Sequence, residues 1–173
     1  VLTHSGNTFT YDPVPDWKLK HHDYFLEGKL EFLDNENEWF FNTETKELYL
    51  YPPDGLDPNE LEIRGKVQSY AFDITNSDYV ELKNIEFFAT TFRFTNSDYG
   101  LVEGCNLFYP SCYKRMLGVV DTPPEMSIFT SSSNSKVSKS AFRFTDGSAL
   151  EMYSGNNTIE AVSYTHLTLP TKG

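Results

Sequence analysis

Apolar and polar residues alternate along residues 72–91, and the same order returns along residues 92–111. Setting one stretch over the other needs no gap: Phe72 meets Phe92, Ile74 meets Phe94, Leu82 meets Val102, Ile85 meets Cys105 and Phe87 meets Leu107. Within each copy the alternation predicts three short strands, Phe72 to Thr75, Val80 to Lys83 and Ile85 to Ala89, separated by tight polar turns. A period near 20 residues holding several strands marks coils that stack, because a single rung cannot bury its inner face. After an insertion the phrase recurs, placing Phe129 under Phe94, Val137 under Val102 and Phe142 under Leu107. A fourth coil begins at Ala149 and sets Ile159 beneath Val137. A two-sheet sandwich offers similar strand counts, but it does not require a gapless apolar register.

Asn76, Asn96, Asn134 and Asn156 are assigned to the turn after the first strand of each coil. Their amides are expected to hydrogen-bond up the column at the strand spacing of about 4.8 Å. Residues 1–65 do not share the period. There, Trp39 to Asn42, a Thr-Glu-Thr-Lys turn and Glu47 to Tyr51 predict a β-hairpin, stopped by Pro52-Pro53-Asp54-Gly55 and expected to pack on the coils. The coils proper span residues 66–161, with a loop insertion at 111–126.

Composition agrees with an all-β chain: 14 Phe and 11 Tyr stand against 3 Met. The formal charge of −11 argues against nucleic acid and anionic membrane, since phosphate neutralisation needs clustered Lys and Arg. No run approaches the roughly 18 apolar residues of a membrane span. Cys105 and Cys112 lack a partner His pair, so zinc is not expected, and a disulfide between them stays open; no metal site is assigned. Cys105 reads as a buried thiol packed as a small hydrophobe.

The run "LDNENEWFFNTETKELYLYPPDG", followed by rungs such as "SDYVELKNIEF" and "SGNNTIE", resembles the right-handed parallel β-helix proteins of bacterial polysaccharide breakdown, glycoside hydrolases and polysaccharide lyases among them. The resemblance covers roughly residues 23 to 161. It implies a right-handed, single-stranded parallel β-helix of about four coils, incomplete, with an N-terminal hairpin segment. It implies a secreted or periplasmic bacterial protein whose partner is a polysaccharide or oligosaccharide, without a cofactor, and monomeric when complete. Glycoside hydrolysis is the first expectation; a non-catalytic glycan-binding or surface solenoid and a polysaccharide lyase are the alternatives. The turn "DGSAL" carries Ser148 where calcium-dependent lyase-like helices often have a second acid, which weakens the lyase reading. The tail, residues 162–173, is similar to the translation of a sequencing adapter from Val162 through Thr171, so the segment is set aside as non-native. A fragment cut there is not expected to act alone.

Candidate chemistry lies on outward positions. Asp73 and Arg93 should face out on adjacent rungs at ion-pair distance, with Glu151 joining the stripe where Leu150 and Met152 pack inward. Retaining glycosidases need carboxyl groups about 5 to 5.5 Å apart and inverting ones about 6.5 to 9.5 Å. Asp73 and Glu151, three rungs or roughly 14 Å apart, do not meet that requirement. Asp146 and Glu151 are the nominated catalytic couple, with a plain Asp-Gly turn as the alternative for Asp146. On the insertion, Tyr113, Lys114 and Arg115 are either an ordinary surface loop or placed to stack on and hydrogen-bond a sugar, Arg115 forking onto a uronate carboxylate where the glycan is acidic; Asp73 and Arg93 join them as substrate-binding residues, with a plain solvated cross-strand pair as the alternative. Trp39, Phe40, Tyr49 and Tyr51 form either a sugar platform or hairpin core. His21 and His22 beside Trp17 read as an ordinary loop, and the sequon at Asn156 as a turn.

Overall fold

The computed structural model describes residues 3–6, 8–10, 28–111 and 125–166. The chain divides into two compact units, Val1–Arg64 and Gly65–Gly173.

In the first unit, β1 (Thr3–Ser5) pairs antiparallel with β2 (Thr8–Thr10), and β3 (Trp39–Asn42) pairs antiparallel with β4 (Glu47–Leu50). The second hairpin sets Trp39 against Leu50, Phe40 against Tyr49 and Phe41 against Leu48. Its turn is fixed by Asn42, whose Oδ1 accepts from the N–H groups of Glu44 and Thr45. Lys46 closes the turn at a φ of 63°. An Asn side chain that mimics a backbone turn explains the tight Thr-Glu-Thr-Lys reversal. Short 3₁₀ turns at Pro53–Gly55 and Pro58–Glu60 follow.

Among the described residues the second unit holds twelve short strands in four repeats: β5 (Tyr70–Thr75), β6 (Glu81–Lys83) and β7 (Glu86–Phe88); β8 (Thr91–Thr95), β9 (Leu101–Glu103) and β10 (Asn106–Phe108); β11 (Ser127–Thr130), β12 (Lys136–Ser138) and β13 (Ala141–Thr145); β14 (Leu150–Met152), β15 (Thr158–Glu160) and β16 (Ser163–His166). They form three four-stranded parallel sheets, each taking one strand from every repeat: β5-β8-β11-β14, β6-β9-β12-β15 and β7-β10-β13-β16. The protein is therefore all-β and β-helix-like. The register matches the inner columns expected from the apolar pattern, with Phe72 on Phe92, Leu82 on Val102, Val137 on Val102 and on Ile159, and Phe142 on Leu107. Phe92, Phe94, Val102, Leu107, Phe129, Val137 and Phe142 are wholly buried in one core, and the Phe94 and Phe129 rings stack at 4.6 Å. Cys105 is a buried free thiol in the same core. Gly100 has no room for a side chain: a Cβ there would stand 2.8 Å from the Phe94 ring.

The corners are made by left-handed backbone at equivalent places in successive repeats. Positive φ recurs at Asn76, Asn96 and Ser131; at Tyr79, Tyr99, Asn134 and Asn156; at Asn84, Gly104, Lys139 and Ala161; and at Ala89, Tyr109 and Phe144. In the first two repeats these residues, and in the third Asn134 and Lys139, donate their N–H to a carbonyl of the neighbouring repeat, as in Asn76 to Thr95 (3.0 Å), Tyr79 to Asp98 (3.0 Å), Asn84 to Glu103 (2.9 Å) and Ala89 to Phe108 (2.8 Å), while Phe144 donates to the Thr165 hydroxyl. The ladder thus continues through these bends, and the bonds offset the roughly 1–2 kcal/mol that non-glycine residues lose in that conformation. Gly104 stands where a Cβ would fall 2.5 Å from Asn84 Oδ1.

The expected single Asn column is corrected. Asn76 and Asn96 share their bend with Ser131, whereas Asn134 and Asn156 share the next one with Tyr79 and Tyr99. Asn recurs because its side chain tolerates left-handed backbone, and what runs up the axis at these bends is backbone N–H to carbonyl. The side-chain ladder is made by serine instead. Ser97 Oγ accepts from Ser77 N–H (3.1 Å), Ser132 Oγ from Ser97 N–H (3.1 Å) and Ser154 Oγ from Ser132 N–H (2.9 Å). Ser97 and Ser132 also donate to the carbonyls of Thr95 and Thr130, so these buried hydroxyls are fully used.

Ser163–His166, in the segment set aside on sequence grounds, pairs with β13. All four residues of that strand are exposed. A parallel edge pairs with any extended chain through its backbone, so this strand asks little of its side chains.

Three substitutions separate these contributions under urea. Phe129→Ala should cost about 3–5 kcal/mol, and Ser132→Ala about 1–3 kcal/mol by leaving the Ser97 N–H without an acceptor. Lys139→Gly, at an exposed left-handed bend, should add up to about 1 kcal/mol. A destabilising Lys139→Gly would contradict this view of the corners.

Candidate functional site

The outer face of the sheet β5-β8-β11-β14 carries the Asp73–Arg93 ion pair, while Lys83–Glu81, Lys136–Glu160 and Lys139–Glu103 lie along the sheet β6-β9-β12-β15. Asp73 and Arg93 are register partners, and the guanidinium grips the carboxylate through both Nε, at 3.0 Å from Oδ1, and Nη2. This pairing lowers the Asp73 pKa and raises that of Arg93. Arg93 also lies over the Tyr70 ring, 4.7 Å from its centroid. Burial is the main cause that raises the Tyr70 hydroxyl's pKa; nearby Arg93 opposes it, and Glu125 and Asp73 add to it. Glu125 in turn binds Lys66 at 2.8 Å. Lys66, Val67, Gln68, Ser69 and Glu125 line an open depression of ≈ 250 Å³ beside this row.

Tyr70 sits here because of a bulge. Tyr70 pairs with Thr91 and Phe72 with Phe92, so β5 holds one extra residue against β8. Strict alternation would put Tyr70 on the inner face with Phe72; the extra residue turns it out beneath Arg93. Sequence reasoning therefore missed Tyr70, and with it Lys66 and Glu125, which precede strands in irregular stretches. A Tyr and a Phe flanking a lone Ala at the head of a strand is the signal that was available.

The other candidates divide. The column through Asp73 and Arg93 continues to Ile128 and only then to Glu151, so an apolar residue interrupts the expected charged stripe. Leu150 and Met152 do pack against the core, which leaves Glu151 outward, and its carboxylate accepts from the Tyr153 hydroxyl. That bond raises the Tyr153 pKa. Asp146 lies in the bend after β13, followed by Gly147 at a φ of 90°, and its N–H donates to Ser111 Oγ at 2.9 Å. The structure thus places Asp146 at the corner before β14 and Glu151 on the strand itself. Ser111 and Glu125 bound the insertion, so its two ends meet Asp146 on one side and Lys66 on the other. Tyr113, Lys114, Arg115, Cys112, His21, His22 and Trp17 lie outside the described residues.

Other aromatics pair among themselves. The Tyr79 and Tyr99 rings stack on each other at 4.7 Å and 1°, and Tyr109 stacks on Phe144 at 5.1 Å, which covers one face of each ring. In the first unit, Trp39 is 67% exposed while Phe40 and Tyr49 are half-buried with tilted rings 6.2 Å apart.

No helix among the described residues is long and apolar enough to cross a membrane. Comparison of the chain with protein families, with curated proteins and with solved structures finds no match.

Both members of the Asp73–Arg93 pair are about 40% exposed, so a double-mutant cycle with Asp73→Asn and Arg93→Gln should give a coupling under about 1 kcal/mol that shrinks with salt. Because folding depresses the Asp73 pKa, the stabilisation is complete above its ordinary value of 3.8 and disappears as pH falls through the lowered one. Stability measured from pH 6 to pH 2 in both backgrounds checks the sign; coupling that persists at the lowest pH would contradict it.

Proposed function

We propose that the second unit is a closed right-handed β-helix from a polysaccharide-degrading protein of secreted or periplasmic setting, and that the outer face of its first sheet binds glycan. Handedness follows from the strong right-handed preference of crossovers between parallel strands in one sheet. The observation that carries the glycan reading is the row of Asp73, Arg93 and Tyr70 on that face, continued by Glu125 and Lys66 in the stretches that lead into β11 and β5. The row combines carboxylate acceptors, cationic donors and an aromatic ring on a rigid sheet, the mixture that fixes sugar hydroxyls in orientation. Glu125 closes the insertion that carries Tyr113, Lys114 and Arg115, which lie outside the described residues.

Glycoside hydrolysis is the chemistry we assign, with Asp146 and Glu151 as the acid pair at the corner leading into this face. The non-catalytic glycan-binding alternative is favoured by one observation: the Glu151 carboxylate is already engaged by Tyr153.

Affinity electrophoresis through gels containing soluble polysaccharides tests the binding face. At least one polysaccharide should retard the protein, and Arg93→Ala or Tyr70→Ala should weaken retardation about tenfold, the loss of one charge-assisted hydrogen bond or its stacked support. Unchanged mobility in every gel would refute the assignment. On a retarding polysaccharide, Asp146→Asn and Glu151→Gln should each lower reducing-end release about 100-fold or more; binding with no release by the unaltered protein selects the binding module.

A further inference from the structure

We infer that this face selects neutral glycans over uronate-bearing ones; the inference rests on the glycan-binding reading above. Both described cations of the row are already paired. Arg93 commits Nε and Nη2 to Asp73, and Lys66 Nζ lies 2.8 Å from Glu125. A uronate carboxylate reaches either cation only through the N–H groups that Asp73 or Glu125 leaves over, which sets it beside an acid whose charge already offsets that cation. Glu151, two positions beyond Arg93 in the same column, adds a third acid against two cations. The chain as a whole carries a formal charge of −11, so a polyanion approaches against the surrounding field.

A neutral sugar meets no such obstacle. Each hydroxyl both donates and accepts, so one can donate to Asp73 or Glu125 while its neighbour accepts from the guanidinium N–H groups that Asp73 leaves over. The existing ion pairs then act as ready-made donor and acceptor couples that need not break. Tyr70, held under Arg93, contributes a hydroxyl that remains protonated and able to donate at neutral pH. The same pairing that makes the face unattractive to acids thus organises it for hydroxyl groups.

The test is calorimetric titration with two matched sets of hexasaccharides: glucan, xylan, mannan and galactan as neutral probes, and galacturonan and mannuronan as acidic ones. The best neutral probe should bind at least tenfold more tightly than either uronate in low salt, and the gap should narrow as salt screens the repulsion. The double variant Asp73→Asn, Glu125→Gln, with thermal unfolding confirming its fold, should gain at least tenfold in uronate affinity because both cations are released. A wild-type preference for uronates, lost in Arg93→Gln, would overturn the neutral selectivity while leaving the glycan face standing. Heat of binding for neither set, in the unaltered protein and the double variant alike, would overturn the glycan face and the selectivity with it.

Discussion

The second unit depends on keeping the backbone ladder intact through its corners. Every repeat must reverse direction three times, and each reversal threatens to leave an N–H without an acceptor inside a stack that admits little water. Left-handed residues resolve this by holding their N–H along the stacking axis toward the next repeat. Once that ladder is continuous, register is no longer adjustable: a slip of one residue would turn every inner Phe and Val toward solvent. The buried serines reinforce the same constraint, since each hydroxyl accepts the N–H of the repeat before it and donates to a carbonyl two residues back.

Function inherits that register. Positions on the outer face are columns, so what stands beside Arg93 is decided by alignment of repeats and not by proximity in the chain. Asp73 falls on one side of it and Ile128 on the other, which ties Arg93 to a single acid and separates it from Glu151. The bulge at the head of β5 swings Tyr70 into the row, and the insertion begins and returns at the corner where Ser111 meets Asp146 and Glu125 meets Lys66. A face of this kind is stiff, and its charges stand in pairs.

Much of the inner architecture was legible in the sequence because buried columns demand apolar residues at every level: Phe94 over Phe129 and Val102 over Val137 leave no choice of type. The bends were less legible. Asn was followed by residue type, and in the third repeat Asn134 sits three positions beyond the residue that truly matches Asn96, namely Ser131. The serine ladder escaped notice because a hydroxyl at a turn looks the same whether exposed or buried. On the outer face, the Asp73–Arg93 pair could be anticipated from alternation alone, whereas Tyr70, Lys66 and Glu125 could not, since a single extra residue and an intervening insertion hide which strand they flank.

Parallel stacking of successive repeats underlies every other feature of the second unit. Methyl-labelled protein in a nuclear Overhauser experiment reports it without substitution. The account predicts strong methyl contacts from Leu82 to Val102, from Val102 to Val137 and from Val137 to Ile159, in that chain and no other order. Contacts from Leu82 directly to Val137 with Val102 elsewhere, or no contact between Leu82 and Val102, would contradict it.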